Sequence, residues 1–121
     1  MINKKTLVIG ASTNPARYSY LAIKSLREHG HSVVALAKKE GQVADVDLQT
    51  EFPENEDIHT VTMYVGPQNQ PEYKDLLLDL HPDRVIFNPG TENIDLIVDL
   101  ETSGIEAIEG CTLVMLNTGQ Y

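Results

Sequence analysis

The segment Gly10-Ala11-Ser12-Thr13-Asn14-Pro15-Ala16-Arg17 holds the residue types that bind a phosphate through the main chain. A glycine lets a ligand approach the backbone closely. The small hydroxyl residues offer donors without filling the space. If a helix starts just beyond, its free N–H groups and partial positive charge point at an anion. Arg17 adds a full charge. The candidate phosphate-binding residues are therefore Gly10, Ala11, Ser12, Thr13, Asn14 and Arg17. The same composition also suits an ordinary strand-to-helix turn. The stretch is not G-x-G-x-x-G, so the dinucleotide fingerprint is absent.

Ala37-Lys38-Lys39 follows the second apolar run. A carboxylate there would hydrogen-bond the ribose hydroxyls of NAD, whereas lysine attracts a ribose phosphate. Lys38 and Lys39 thus point to a 3′- or 2′-phosphorylated adenosine, the alternative being a solvated pair at a strand end. Asn88-Pro89-Gly90 closes the fourth apolar run and would share an edge with the first loop, or is a plain turn before a capped helix. Tyr64 would wall the adenine or pantetheine side, or stand as a half-buried sheet residue.

Catalytic patterns are absent. No G-x-S-x-G elbow follows a strand, and no histidine is placed in sequence to activate Ser12. The ends of the first and third strands, Gly10-Ala11 and Tyr64-Val65, lack the acidic residues of a phosphoacceptor site. The single cysteine, Cys111, excludes an internal disulfide and a multi-cysteine metal site. A lone cysteine is usually a small buried hydrophobe. His29, His31, His59 and His81 form no metal-ligand motif.

The elements that must position these residues follow from periodicity. Thr6–Ile9, Ser32–Leu36, Thr60–Val65, Arg84–Phe87 and Ile105–Ile108 read as strands. Between them lie helical stretches. Tyr18 to His29 has Ser19 as its expected N-cap and Gly30 as its stop. A second opens at Pro71 with Tyr73, Leu76, Leu77 and Leu80 as its buried stripe. The third is capped by Thr91 or Asn93 and buries Ile94, Ile97 and Val98. Glu40 to His59, polar and broken by Gly41 and Pro53, is expected to be mostly loop; Thr112–Leu116 is a helix or an edge strand. Alternating strands and helices predict an α/β fold: one Rossmann-like, doubly wound parallel sheet of about five strands, order 3-2-1-4-5, with helices on both faces. In such a sheet the ligand sits at the carboxyl ends of the strands, beside strand 1.

The chain has 121 residues, room for one domain spanning 1–121. Nine basic residues against eighteen acidic ones give a formal charge of −9, a field that repels nucleic acid and anionic lipid. No signal segment or membrane-length apolar run is seen, so a cytoplasmic protein is expected, either monomer or homodimer.

Taken together, Leu7-Val8-Ile9-Gly10-Ala11-Ser12, Asn14-Pro15 with Arg17 and Ser19, Leu26 to Val33, Asn88-Pro89-Gly90, and Gly104-Ile105-Glu106 with Glu109-Gly110-Cys111 resemble the small stand-alone CoA-binding domain proteins, relatives of the CoA-binding domain of succinyl-CoA synthetase. The likeness covers nearly the whole chain. It departs at Ala37-Lys38-Lys39, where the family usually has Asn-Pro, and after strand 3, where Tyr64-Val65-Gly66-Pro67 lacks the common arginine. The resemblance implies a Rossmann-like fold and coenzyme A or an acyl-CoA as ligand, with no established reaction. The expectation is non-catalytic binding of CoA. A minimal NADP-linked or acyl-CoA-handling enzyme using Cys111, and a protein-interaction module without ligand, are the alternatives.

Overall fold

A computed structural model describes residues 2–121. The strands are β1 (Thr6–Ala11), β2 (Val33–Ala37), β3 (Gly41–Val43), β4 (Val46–Gln49), β5 (Thr60–Met63), β6 (Arg84–Phe87) and β7 (Glu106–Glu109). The helices are α1 (Tyr18–Glu28), α2 (Lys74–Leu80), α3 (Ile94–Thr102) and α4 (Thr112–Asn117). Two single 3-10 turns, Pro67–Asn69 and Pro71–Tyr73, lead into α2.

All seven strands form one sheet in the order β3-β4-β2-β1-β5-β6-β7. Every pairing is parallel except β3 with β4. This corrects the expected five strands and their order. The segment read as loop carries a hairpin in which Val43 pairs with Val46 across the turn Ala44-Asp45. Val43, Val46 and Leu48 are buried, while Asp45 and Asp47 face water. The turn needs a left-handed residue, and Ala44 supplies it at φ +54° without the glycine or asparagine that marks such turns. Once β4 occupies the place beside β2, the strand at Thr60–Met63 pairs instead with the other side of β1. The chain reverses direction across the sheet between β1 and β5, which puts the switch point there.

Strand alternation builds two cores. Leu7, Ile9, Val61, Met63, Val85 and Phe87 face α2 and α3, where they meet Leu77, Leu96, Ile97 and Leu100. Val8, Ala35 and Leu48 face α1 and α4, where they meet Ile23, Leu26 and Leu116. Full burial of each large apolar side chain stabilises the fold by roughly 1.5–3 kcal/mol. The stripe of α3 is Leu96, Ile97 and Leu100; Ile94 and Val98 are exposed, contrary to expectation, because Asn93 caps the helix and sets Ile94 as its outward first residue. On α2, Leu77 is the buried leucine and Leu76 is exposed. Thr112–Leu116 is helical.

The α4 face of β5 is polar: Thr60 and Thr62 are buried there, with Thr6 on β1, Asn88 just after β6 and Thr112 on α4. At the amino-terminal edge of the sheet, Tyr121 lies between Arg84 and His31 at ring distances of 4.6 and 4.9 Å. Its hydroxyl bonds Thr6, and its main-chain oxygen accepts from Lys4 and from Arg84. The segment after β7 is therefore held at both ends of the sheet.

Candidate functional site

At the exit of β1, Gly10 is an extra residue: the register with β2 shifts between Ile9 and Ala11. Gly10 has φ +95°, and a Cβ there would stand 3.0 Å from the Val65 side chain and 3.1 Å from the Tyr64 main chain. The glycine is thus required by the close approach of the β5 exit. Beyond Ala11 the loop braces itself. Ser12 Oγ accepts from the N–H of Asn14 at 3.1 Å, and Asn14 Oδ1 accepts from the N–H of Ala16 at 3.0 Å. The Asn14 carbonyl then accepts from the N–H of Arg17 at 3.0 Å.

This bracing ends the loop at Arg17, so Arg17 and not Ser19 is the cap residue of α1; Ser19 is buried inside the first turn. No side chain caps the helix, and its first turn carries no acidic residue. Its leading N–H groups keep the partial positive charge that attracts an anion. The methyl of Thr13 abuts Gly41, where a Cβ would come within 2.6 Å. That contact sets the first loop against the segment leaving β2, which carries the exposed Lys38 and Lys39. Among the described residues Arg17, Lys38 and Lys39 have no carboxylate within ion-pair distance, whereas Lys5, Arg27 and Lys74 are paired.

Asn88 is buried and serves as a bracket. Its Nδ2 donates to Thr62 Oγ1 at 2.7 Å and to the Met63 carbonyl at 2.8 Å, while Oδ1 accepts from the N–H of Thr112 at 2.9 Å. Its side chain faces α4 and is fully engaged. Pro89 and Gly90 are exposed on the rim; Gly90 has φ +92° with open space around a Cβ position. The N–H of Gly90 donates to the carboxylate of Glu92 at 2.8 Å.

Tyr64 packs half-buried against the α1 and α4 side of the core. Its hydroxyl is enclosed without a hydrogen-bond partner, and the nearby hydroxyls of Thr62 and Thr112 bond each other at 2.8 Å. Burial pushes its pKa up to about 12, with those two hydroxyls opposing the shift.

Sequence reasoning missed Gln70, which is fully buried. Its Nε2 donates to the carbonyls of Val65 and Thr91 at 2.9 and 2.7 Å, and its Oε1 accepts from Asn93 at 3.0 Å. It ties the β5 exit to the β6 exit and to the cap of α3. A glutamine between Asn69 and Pro71 carries no sequence signal for that role. Cys111, half-buried, is the cap residue of α4 just past β7.

The rim at the carboxyl ends of β2, β1, β5 and β6 thus collects every candidate residue in one row. A surface cavity of about 530 Å³ lies at the opposite edge among Asn3, Lys5, Ser32, Asp57, His59 and Asp83. A second, of about 310 Å³, is lined by Arg27, Val34, Asp45 and Asp47 near the starts of β2 and β4. In both, the lysine and arginine are already matched, Lys5 with Glu56 and Arg27 with Asp45, and His59 lies 3.5 Å from Asp83. The rim differs from both in that Arg17, Lys38 and Lys39 have no such partner among the described residues. No cluster of three or more potential metal ligands occurs among the described residues. No helix among them is long and apolar enough to cross a membrane.

Known proteins share this architecture. The crystal structure of an uncharacterized protein superposes with a TM-score of 0.96 at 45% identity, with 100% of each chain covered. A hypothetical protein from Pyrococcus horikoshii OT3 gives 0.86 at 23% identity, over 96% of this chain and 83% of its own. A dinucleotide-forming acetyl-coenzyme A synthetase 1 from Ca. Korarchaeum cryptofilum, in complex with phosphate and ADP, gives 0.73 at 12% identity, over 89% of this chain and 26% of its own. No match was found among curated proteins. The sequence pattern of the CoA binding domain matches residues 4–117, and the chain belongs to that family.

Proposed function

We propose that this chain binds coenzyme A, or an acyl-CoA, at the carboxyl rim of β1 and β2, without itself catalysing a reaction. The observation that carries this reading is the meeting of three unpaired cations, Arg17, Lys38 and Lys39, with an uncapped helix start in a chain of formal charge −9. Membership of the CoA-binding domain family supports the same ligand. In this reading the loop Gly10 to Asn14 and the start of α1 take the pyrophosphate through main-chain N–H groups. Lys38 and Lys39 take the ribose 3′-phosphate. Pro89 and Gly90 line the far wall, and Asn88 and Tyr64 stiffen the rim from beneath. When bound, CoA supplies a thiol that carries acyl groups as thioesters.

Calorimetric titration tests this directly. CoA should bind, and dephospho-CoA should bind several-fold more weakly. Equal affinities would remove the lysine assignment, and no heat with either at millimolar concentration would remove the CoA reading.

A further inference from the structure

The sheet order turns the rim into a charge gradient. From β2 to β7 the exits run Lys38 and Lys39 with Glu40 behind them, then Arg17, then the uncharged Val65-Gly66-Pro67-Gln68, then Glu92, then Glu109. Four strand spacings separate β2 from β7, roughly 19 Å. Glu109 ends β7 and pairs in register with Phe87, the last residue of β6, so it stands beside the turn that carries Glu92. Both carboxylates are exposed. That of Glu92 is held in place by the N–H of Gly90 at 2.8 Å. No lysine or arginine stands on the exits of β5, β6 or β7.

We infer that Glu92, with Glu109, sets the acyl specificity of the site: it accepts CoA and uncharged acyl thioesters and disfavours thioesters whose acyl group ends in a carboxylate. The inference rests on the CoA reading above. A ligand whose phosphates lie on Arg17, Lys38 and Lys39 and whose chain runs along the rim brings its thiol end toward β6 and β7. A terminal carboxylate there meets the held carboxylate of Glu92 and the exposed one of Glu109, and no cation. Like charges within a Debye length, about 8 Å at physiological salt, repel each other measurably even at a surface. The hydrogen bond to Gly90 keeps Glu92 from swinging away.

The test compares butyryl-CoA with succinyl-CoA, which have acyl chains of equal carbon number and differ in charge. In the wild-type protein succinyl-CoA should bind at least fivefold more weakly than butyryl-CoA, with the gap narrowing at high salt. In the double variant Glu92→Gln, Glu109→Gln the gap should close to within twofold while CoA affinity stays unchanged. Glutamine at position 92 keeps an acceptor for the N–H of Gly90, and both sites are exposed, so the variant retains the fold. Equal binding of the two thioesters by the wild type, or a gap that survives in the variant, overturns the specificity role and leaves CoA binding intact. Failure of CoA itself to bind the wild type overturns both.

Discussion

Asn88 accepts the N–H of Thr112 on its side-chain oxygen at 2.9 Å, so the turn after β6 grips the first residue of α4. The same side chain donates to Thr62 and to the Met63 carbonyl on β5. Asn88→Ala leaves the Met63 carbonyl and the Thr112 N–H buried without that partner. At about 1–3 kcal/mol for each orphaned group, the variant should lose roughly 2–6 kcal/mol in urea unfolding. Asn88→Asp should be at least as costly, since a carboxylate cannot donate to a carbonyl. A loss below about 1 kcal/mol would show that water replaces these bonds.

Gly10 and Gly90 share a positive φ but differ in their surroundings, which separates conformation from crowding. Gly90→Ala should cost about 1 kcal/mol, the penalty of an alanine in that backbone region. Gly10→Ala should cost at least about 1 kcal/mol more, because its Cβ meets main chain at 3.1 Å, where nothing flexible can yield. Equal losses in thermal or urea unfolding would mean that the β5 exit relaxes freely.

His31 makes stability depend on pH. It is buried, and its Nδ1 accepts from the N–H of Lys4 at 2.9 Å, which requires the unprotonated nitrogen. Burial first, and then the positive charges of Lys4, His29, Arg84 and His59, lower its pKa below the ordinary 6.5. His59 shifts the same way, mainly through burial and against the pull of Asp83. A histidine whose folded pKa lies below its unfolded value binds fewer protons when folded. Its contribution is complete above pH 6.5 and is lost as pH falls from there toward the folded value. Urea midpoints should therefore drop between pH 7.5 and 5.5, and His31→Gln should flatten that slope. The loss attributable to His31 is at most about 1.4 kcal/mol per pH unit. A slope unchanged in His31→Gln would contradict the assignment.

Ser12→Glu should keep the fold, because Ser12 stands at the surface of the rim and its side chain makes only the local bond to Asn14. It should weaken CoA at least tenfold, a loss of about 1.4 kcal/mol, by setting a carboxylate against the pyrophosphate. Lys38→Ala with Lys39→Ala should weaken CoA several-fold and leave dephospho-CoA unchanged. A well-folded Ser12→Glu protein with unaltered affinity would move the site away from the β1 loop.

Much of this was legible in the sequence because apolar period and strand-end position are local properties. Thr6–Ile9 ending at Gly10, and Arg84–Phe87 ending at Asn88, announce strands and the loops that leave them. What stayed hidden is what depends on partners distant in the chain. The alternation Val46-Asp47-Leu48 was masked by an alanine in a turn that normally takes glycine or asparagine, and missing β4 misplaced β5 in the sheet order. Thr60 and Thr62 look like ordinary β-branched strand residues, yet they form a polar seam beneath α4. Asn88 resembles a turn residue, and only the packing of α4 makes it a bracket. The position of the candidate residues on one rim was legible because a parallel sheet brings strand exits to one edge whatever their order.

Native mass spectrometry of the protein titrated with CoA and NADP together tests the central claim most directly. The account predicts a one-to-one complex bearing the mass of CoA, present in wild type and depleted in Ser12→Glu. A complex with NADP in its place, or unliganded protein alone at millimolar CoA, would contradict it.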